Sequence, residues 1–160
     1  MTEGPASLRD ALSEDAIAPN EHLEGREAAV RRSGELLTAG GMVDPAYTDE
    51  MLAALEQYGP YIVLAPGVAL AHSRPSPAVH GVAFSVLTLD PPVAFGHADN
   101  DPVRLVVGMA APDDESHIEA LRQLAELLGD DARRERLMAA TTAQEVLALI
   151  GTGEGKGANE

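Results

Sequence analysis

The chain contains no cysteine and no tryptophan, and only two phenylalanines and three tyrosines among its 160 residues. Without cysteine there are no disulfides, thiolate zinc sites or cysteine nucleophiles. With so few aromatic residues, the interior is left to Leu, Val, Ala and Ile. No apolar run approaches the roughly 18–20 residues of a membrane span. The first residues, MTEGPASLRD, lack the basic and apolar regions of a secretion signal, so a cytoplasmic location is expected. Basic residues are scarce as well: 11 against 26 acidic residues, a formal net charge of −15. Such a field repels nucleic acid and anionic lipid. Solubility accounts for the acidic surface first, and a basic protein partner second.

What remains is 45% hydrophobic, enough for one packed domain of this length. Residues 1–15 read as a flexible lead-in, with Ala16-Ile17-Ala18 as a short edge strand before Pro19. Helical spacing runs from Leu23 to Ala39 through Ala29, Val30, Ser33, Leu36 and Leu37, and Gly40-Gly41 ends it. Asp44-Pro45 has the form of an N-cap followed by proline at the first helical position. Tyr47, Met51, Leu55 and Tyr58 then share one face.

That helix leads into GPYIVLAPGVALAHSRP, residues 59–75, which reads as a strand (Tyr61 to Leu64), a Pro66-Gly67 turn and a second strand (Val68 to Ala71). The second strand delivers His72, with Arg74 two residues on. Alternate residues of an extended chain point the same way, so these two can address one ligand. A neutral imidazole is a nucleophile and a guanidinium a fork for phosphate oxygens, a pairing suited to phosphoryl chemistry. Against this stands the plainer reading: most histidines in soluble domains do no chemistry, and His-x-Arg is too short to be a motif.

Gly81 to Leu89 follows as a strand broken by Asp90-Pro91-Pro92. Val93-Ala94-Phe95 is a short strand, Gly96 to Pro102 a loop, and Val103 to Ala111 an apolar strand covered on both faces. The last third is helical. Ile118, Leu121, Leu124, Ala125 and Leu128 mark one face, Gly129 closes it, Asp130 caps a short helix, and Thr142 with Glu145 opens a final helix to Ile150. The Gly-rich tail, residues 151–160, is expected to be disordered. The order of elements predicts a single α/β domain with a mixed central β-sheet flanked by α-helices.

Ser116-x-x-Glu119 has the form of a capping box that puts His117 in the first turn of its helix. The positive end of the helix dipole there disfavours imidazolium and welcomes an anion. His72 and His117 each lie just past a strand end, where α/β sites gather. If the two strands are parallel neighbours, the histidines meet. The alternative for His117 is a solvent-facing residue at a helix start.

The text around these residues, GPYIVLAPGVALAHSRP and PVAFGHADNDPVRLVVGMAAPDDESHIEALRQLAELL, resembles the enzyme IIA component of the bacterial phosphoenolpyruvate-dependent sugar phosphotransferase system. The branch is the mannitol/fructose type, with ascorbate-like members nearest, and the resemblance covers about Ala16 to Ile150. It implies a phosphocarrier domain over residues 16–150. His72 would accept a phosphoryl group from the carrier protein HPr and pass it to a cysteine of enzyme IIB, which serves the membrane enzyme IIC. His117 would take the place of the supporting second histidine. No cofactor or metal is implied, and since the family includes dimers a homodimer stays open.

Two departures bear on this. Many members have proline before the active histidine, where Ala71 stands. The mannitol-like branch carries an arginine in the preceding helix, about where Glu56 or its neighbours stand, so Arg74 would take over its charge role. Otherwise the chain would be a regulatory relative whose phosphorylation state gates binding to another protein. A third reading, a metal hydrolase using His97-x-Asp99 with His72 or His117, competes with ordinary turn chemistry at that loop. His22 and His80 read as incidental, and Arg31-Arg32 and Arg133-Arg134 as solvated helix faces.

Overall fold

The structure, a computed structural model, describes residues 11–150. The expected disordered tail 151–160 and most of the expected flexible lead-in therefore lie outside the described residues. The rest of that lead-in is not loose. Leu12 is buried, the carbonyl of Ala11 accepts from Phe84 N at 3.1 Å, and a 3-10 turn at Glu14–Ala16 leads into the sheet. An apolar side chain at position 12 anchors what polar composition alone made look free.

Five strands, β1 (Ile17–Glu21), β2 (Val63–Ala65), β3 (Val68–His72), β4 (Ala83–Val93) and β5 (Val103–Ala110), form one mixed sheet in the order β1-β4-β5-β3-β2. The pairs β1–β4 and β3–β5 are parallel, while β4–β5 and β2–β3 are antiparallel. Strand β5 (VRLVVGMA) sits near the middle, and all its residues but Arg104 are buried. This is the environment its unbroken apolar run requires. Four α-helices, α1 (Arg26–Ala39), α2 (Ala46–Tyr58), α3 (Asp114–Leu128) and α4 (Asp131–Ala139), precede a fifth, α5 (143–150). Helix α1 packs across β3, β4 and β5, α2 packs on α1 and β3, and α4 lies against β5.

The expected inward set of α1 is buried throughout, from Ala29 to Leu37. Asp130 accepts from Arg133 N and caps α4, and the capping box of α5 closes in both directions, Glu145 N to Thr142 Oγ1 and Thr142 N to Glu145 Oε1.

Several elements differ from expectation. β1 runs through Pro19 to Glu21: its register slips there, Asn20 adopts φ +56°, and the Asn20 N–H donates to Thr88 Oγ1 at 2.6 Å. An edge strand with a bulge tolerates the donor that proline lacks. β4 likewise continues past Asp90-Pro91-Pro92 to Val93, which still pairs with Val103, with a register shift after Thr88 absorbing the prolines. Tyr61 and Ile62 belong to a 3-10 turn, Gly59–Ile62, and the strand begins only at Val63. Asp44 does not cap α2 with its side chain, which meets exposed His80 Nε2 at 3.1 Å instead. Arg134 is not solvated: it donates to the Leu128 carbonyl at 2.7 Å and to Asp131.

Candidate active site

Strands β3 and β5 are parallel neighbours, and the last pair of their register sets His72 opposite Met109. Beyond Met109 the chain passes through Ala111 and Pro112 into α3. Two segments distant in sequence thus end side by side at the carboxyl edge of the sheet. The rings of His72 and His117 lie with their centroids 5.5 Å apart, tilted by 43°. The conditional expectation that the two histidines meet is what the topology delivers.

Both rings are half-buried. Nδ1 of each is enclosed and has no hydrogen-bond partner, which leaves Nε2 as the nitrogen open to the surface. Burial holds the pKa of His72 below the ordinary histidine value, and the neighbouring His117 pushes it the same way. The Leu70 backbone works weakly in the opposite sense, although no hydrogen bond of ordinary length and angle reaches Nδ1. No full backbone hydrogen bond therefore clamps that ring nitrogen. His117 is likewise lowered, chiefly by burial, against the pull of the Asp114 carboxylate. Both imidazoles are neutral near pH 7.

The start of α3 is built differently from the expected Ser116–Glu119 box. Asp113 is the N-cap: its Oδ1 accepts from Ser116 N at 2.8 Å and from Ser116 Oγ at 2.8 Å. Those bonds hold the Asp113 carboxyl below its usual range, the backbone N–H contributing most. Glu119 turns away to Arg122 and Gln123. The shift of cap by three residues puts His117 at the fourth helical position, its N–H already bonded to the Asp113 carbonyl at 3.0 Å. The free N–H groups of the helix end belong to the residues just before it. The face also rotates. Ala120, Leu124, Leu127 and Leu128 are inward, whereas Ile118 is 66% exposed.

Arg74 lies beyond β3, exposed, and with the two histidines it lines a cleft of about 660 Å³. Its guanidinium makes no hydrogen bond or ion pair among the described residues, so it is available to an anion. The helix preceding the site contributes Glu50, Ala53 and Gln57 to the cleft and no arginine.

Sequence reasoning missed two features. One is Tyr47, fully buried on α2, whose hydroxyl reaches the backbone of Ser73 and Met109. A tyrosine on the inward face of a helix must find its hydroxyl a partner, and that rule was the available clue. The other is an apolar rim: Tyr58, Tyr61 and Leu64 line the cleft and are exposed, Tyr61 by 80%. Tyr58 was expected inward.

His97 takes no part in the site. Its Nδ1 accepts from Asp99 N and Asn100 N at 3.1 Å each, and Asn100 O accepts from Gly67 N, at the opposite end of β3 from His72. The metal reading fails on this geometry, and among the described residues no three His, Asp or Glu side chains gather as a metal site would need. His22 pairs with Glu24 on the surface, incidental as expected.

The fold thus combines a mixed five-stranded sheet with paired imidazoles beyond the carboxyl ends of two parallel strands. A putative enzyme IIA of the phosphotransferase system from Streptococcus mutans superposes with a TM-score of 0.82 at 33% identity, covering 94% of this chain and 96% of that one. The chain belongs to the family described as phosphoenolpyruvate-dependent sugar phosphotransferase system, EIIA 2, whose model matches residues 10–152. The ascorbate-specific PTS system EIIA component of Salmonella typhimurium is 43% identical over 145 residues, 89% of this chain and 94% of that protein. Enzyme IIAMTL of Escherichia coli, solved in complex with phosphorylated enzyme IIBMTL, matches with a TM-score of 0.77 at 29% identity, covering 88% of this chain and 96% of that one. Phosphoryl transfer within a sugar phosphotransferase system is thus the general activity of this family of domains. Among the described residues, no helix is long and apolar enough to cross a membrane.

Proposed function

We propose that this chain is a phosphohistidine carrier of an ascorbate-like phosphotransferase system, with His72 as the residue that holds the phosphoryl group. The observation that carries the reading is the paired imidazole arrangement: two neutral rings 5.5 Å apart, each with Nδ1 enclosed and Nε2 open to one cleft beside an unpaired arginine. The Nε2 lone pair of His72 attacks phosphorus of the HPr phosphohistidine, a P–N bond forms, and the P–N bond to the donor ring breaks. The group then leaves His72 for the thiolate of a cysteine on enzyme IIB, again by in-line exchange. Such transfers depend on positioning and charge stabilisation more than on covalent chemistry by the protein. Arg74, His117 and the α3 N-terminus supply donors for the phosphoryl oxygens. No metal is needed, since each partner completes the site.

The apolar rim suits docking of protein partners, because exposed aromatic and aliphatic side chains around a cleft mark interaction surfaces. The relative solved with enzyme IIB supports that partner for this chain.

The test is labelling by phosphoenolpyruvate, enzyme I and HPr. Wild type should take up phosphate in acid-labile form and discharge it to an enzyme IIB, while His72→Ala should take up none. Persistent labelling of the variant defeats the assignment. A second reading, a regulatory paralogue, is favoured by one observation: α2 offers the cleft Glu50 and Gln57 where a cation would assist transfer. A protein that is labelled on His72 and never discharges to any enzyme IIB supports that version.

A further inference from the structure

The imidazole of His72 has no side-chain partner to hold it, so its placement depends on the backbone that carries it. That backbone leaves the sheet at one point, and a single buried hydroxyl occupies the point. The Tyr47 ring is wholly buried on the first turn of α2. Its hydroxyl accepts from Ser73 N at 2.8 Å and stands 3.0 Å from the Ser73 carbonyl and 3.1 Å from the Met109 carbonyl. One proton serves both carbonyls in turn. The β3–β5 register ends at the His72–Met109 pair, so the Ser73 N–H and the Met109 carbonyl lie where that ladder stops, and buried backbone groups must be satisfied. Ser73 is bonded directly to His72, and Met109 is the last residue but one of β5, whose end leads on to His117. The tyrosine therefore fastens together the two chain segments whose separation sets the distance between the rings.

We propose that Tyr47 is a positioning residue for phosphoryl transfer, its hydroxyl fixing the exit of β3 beside the end of β5 and thereby the spacing of His72 and His117. This rests on the carrier reading above. Burial drives the Tyr47 pKa up to about 12, so the hydroxyl keeps the proton it shares at any working pH. A phenylalanine would fill the same space and leave the Ser73 N–H and Met109 carbonyl unanswered.

The decisive comparison is Tyr47→Phe against wild type in the HPr-dependent labelling assay, with HPr concentration varied. The expected result is a fall in kcat of about tenfold or more, since small misplacements of reacting groups are costly, with KM for HPr unchanged because the apolar rim is intact. Ser33→Ala serves as the purely structural control. It removes a buried hydroxyl, hydrogen-bonded to Ser85 under α1, and should leave both constants alone. An unchanged kcat in folded Tyr47→Phe, or an equal fall in Ser33→Ala, overturns the proposal. Amide exchange in wild type gives a second readout that needs no variant and no activity. The Ser73 N–H should be protected like a strand amide, and rapid exchange there overturns the proposal even if Tyr47→Phe fails to fold. Should wild type prove not to be phosphorylated on His72, the carrier reading falls, while the exchange result still reports whether Tyr47 holds the strand exit.

Discussion

At the scale of single residues, the proposed chemistry rests on two imidazoles, of which His117 helps to keep His72 uncharged. Under the carrier reading, acceptance needs the neutral form of His72. Burial first, and His117 second, keep its pKa below 6.5. The rate of labelling should therefore hold as pH falls through the ordinary histidine range and decline only below it. Replacing the neighbour, His117→Gln, removes the second cause, so the acid limb of the profile should move to higher pH. A pH–rate series on the two proteins decides this, and a limb that stays put or moves lower would show that the rings do not interact. The sign for folding is the reverse of a salt-bridged histidine. The unfolded chain binds this proton more readily, so His72 costs stability as pH drops from 6.5 through its depressed value and has no effect above. At this scale the sequence also pointed to residues that the fold brings to one cleft. His72, Arg74 and His117 were all singled out, because a strand end and a helix start are recognisable from local patterns. Tyr47 was not, because what its hydroxyl meets depends on β5, far away in the chain.

Elements were legible where periodicity and capping agree, as in α1, α4 and α5, and obscure where tertiary context outweighs them. Pro91-Pro92 looks like a stop, yet β4 crosses it, since pairing with Val103 resumes once the register has shifted. Ser116 looks like a cap, yet Asp113 three residues earlier takes that role. Both candidates fit the local rule, and the path of the chain out of β5 chooses between them. One element-level contact is tight enough to test. Gly108 of β5 pairs with both Ala71 and Ser85, and a Cβ there would collide with Ser85 Oγ and with Ser33 Oγ of α1. Gly108→Ala should push α1 off the sheet and lower stability by about 1–3 kcal/mol, as overpacking does. Urea unfolding measures it, and an unchanged midpoint would mean that the helix seats less closely than described.

Over the whole molecule, a strong acidic excess coexists with exposed apolar side chains at the cleft. The chain carries a net −15, yet Tyr61, Leu64 and Ile118 stand exposed near the two histidines. A surface of this kind favours a partner with an apolar contact patch inside a basic border. Tyr61→Ala is the simplest probe. Being 80% exposed, Tyr61 contributes little to folding, so the melting temperature should barely change, surface substitutions usually lying within about 0.5 kcal/mol. Under the carrier reading, KM for HPr should rise several-fold, with kcat preserved. A change in kcat alone would place Tyr61 in the chemistry instead of the docking face.

The parallel pairing of β3 with β5 has a temporal consequence. Under the carrier reading, the proposed nucleophile His72 is made before its neighbour His117, with β4 and β5 between them. A chain interrupted before position 117 would own His72 and Arg74 without the second imidazole. The proposed site is thus complete only once β5 has taken its place in the middle of the sheet and α3 has formed beyond it.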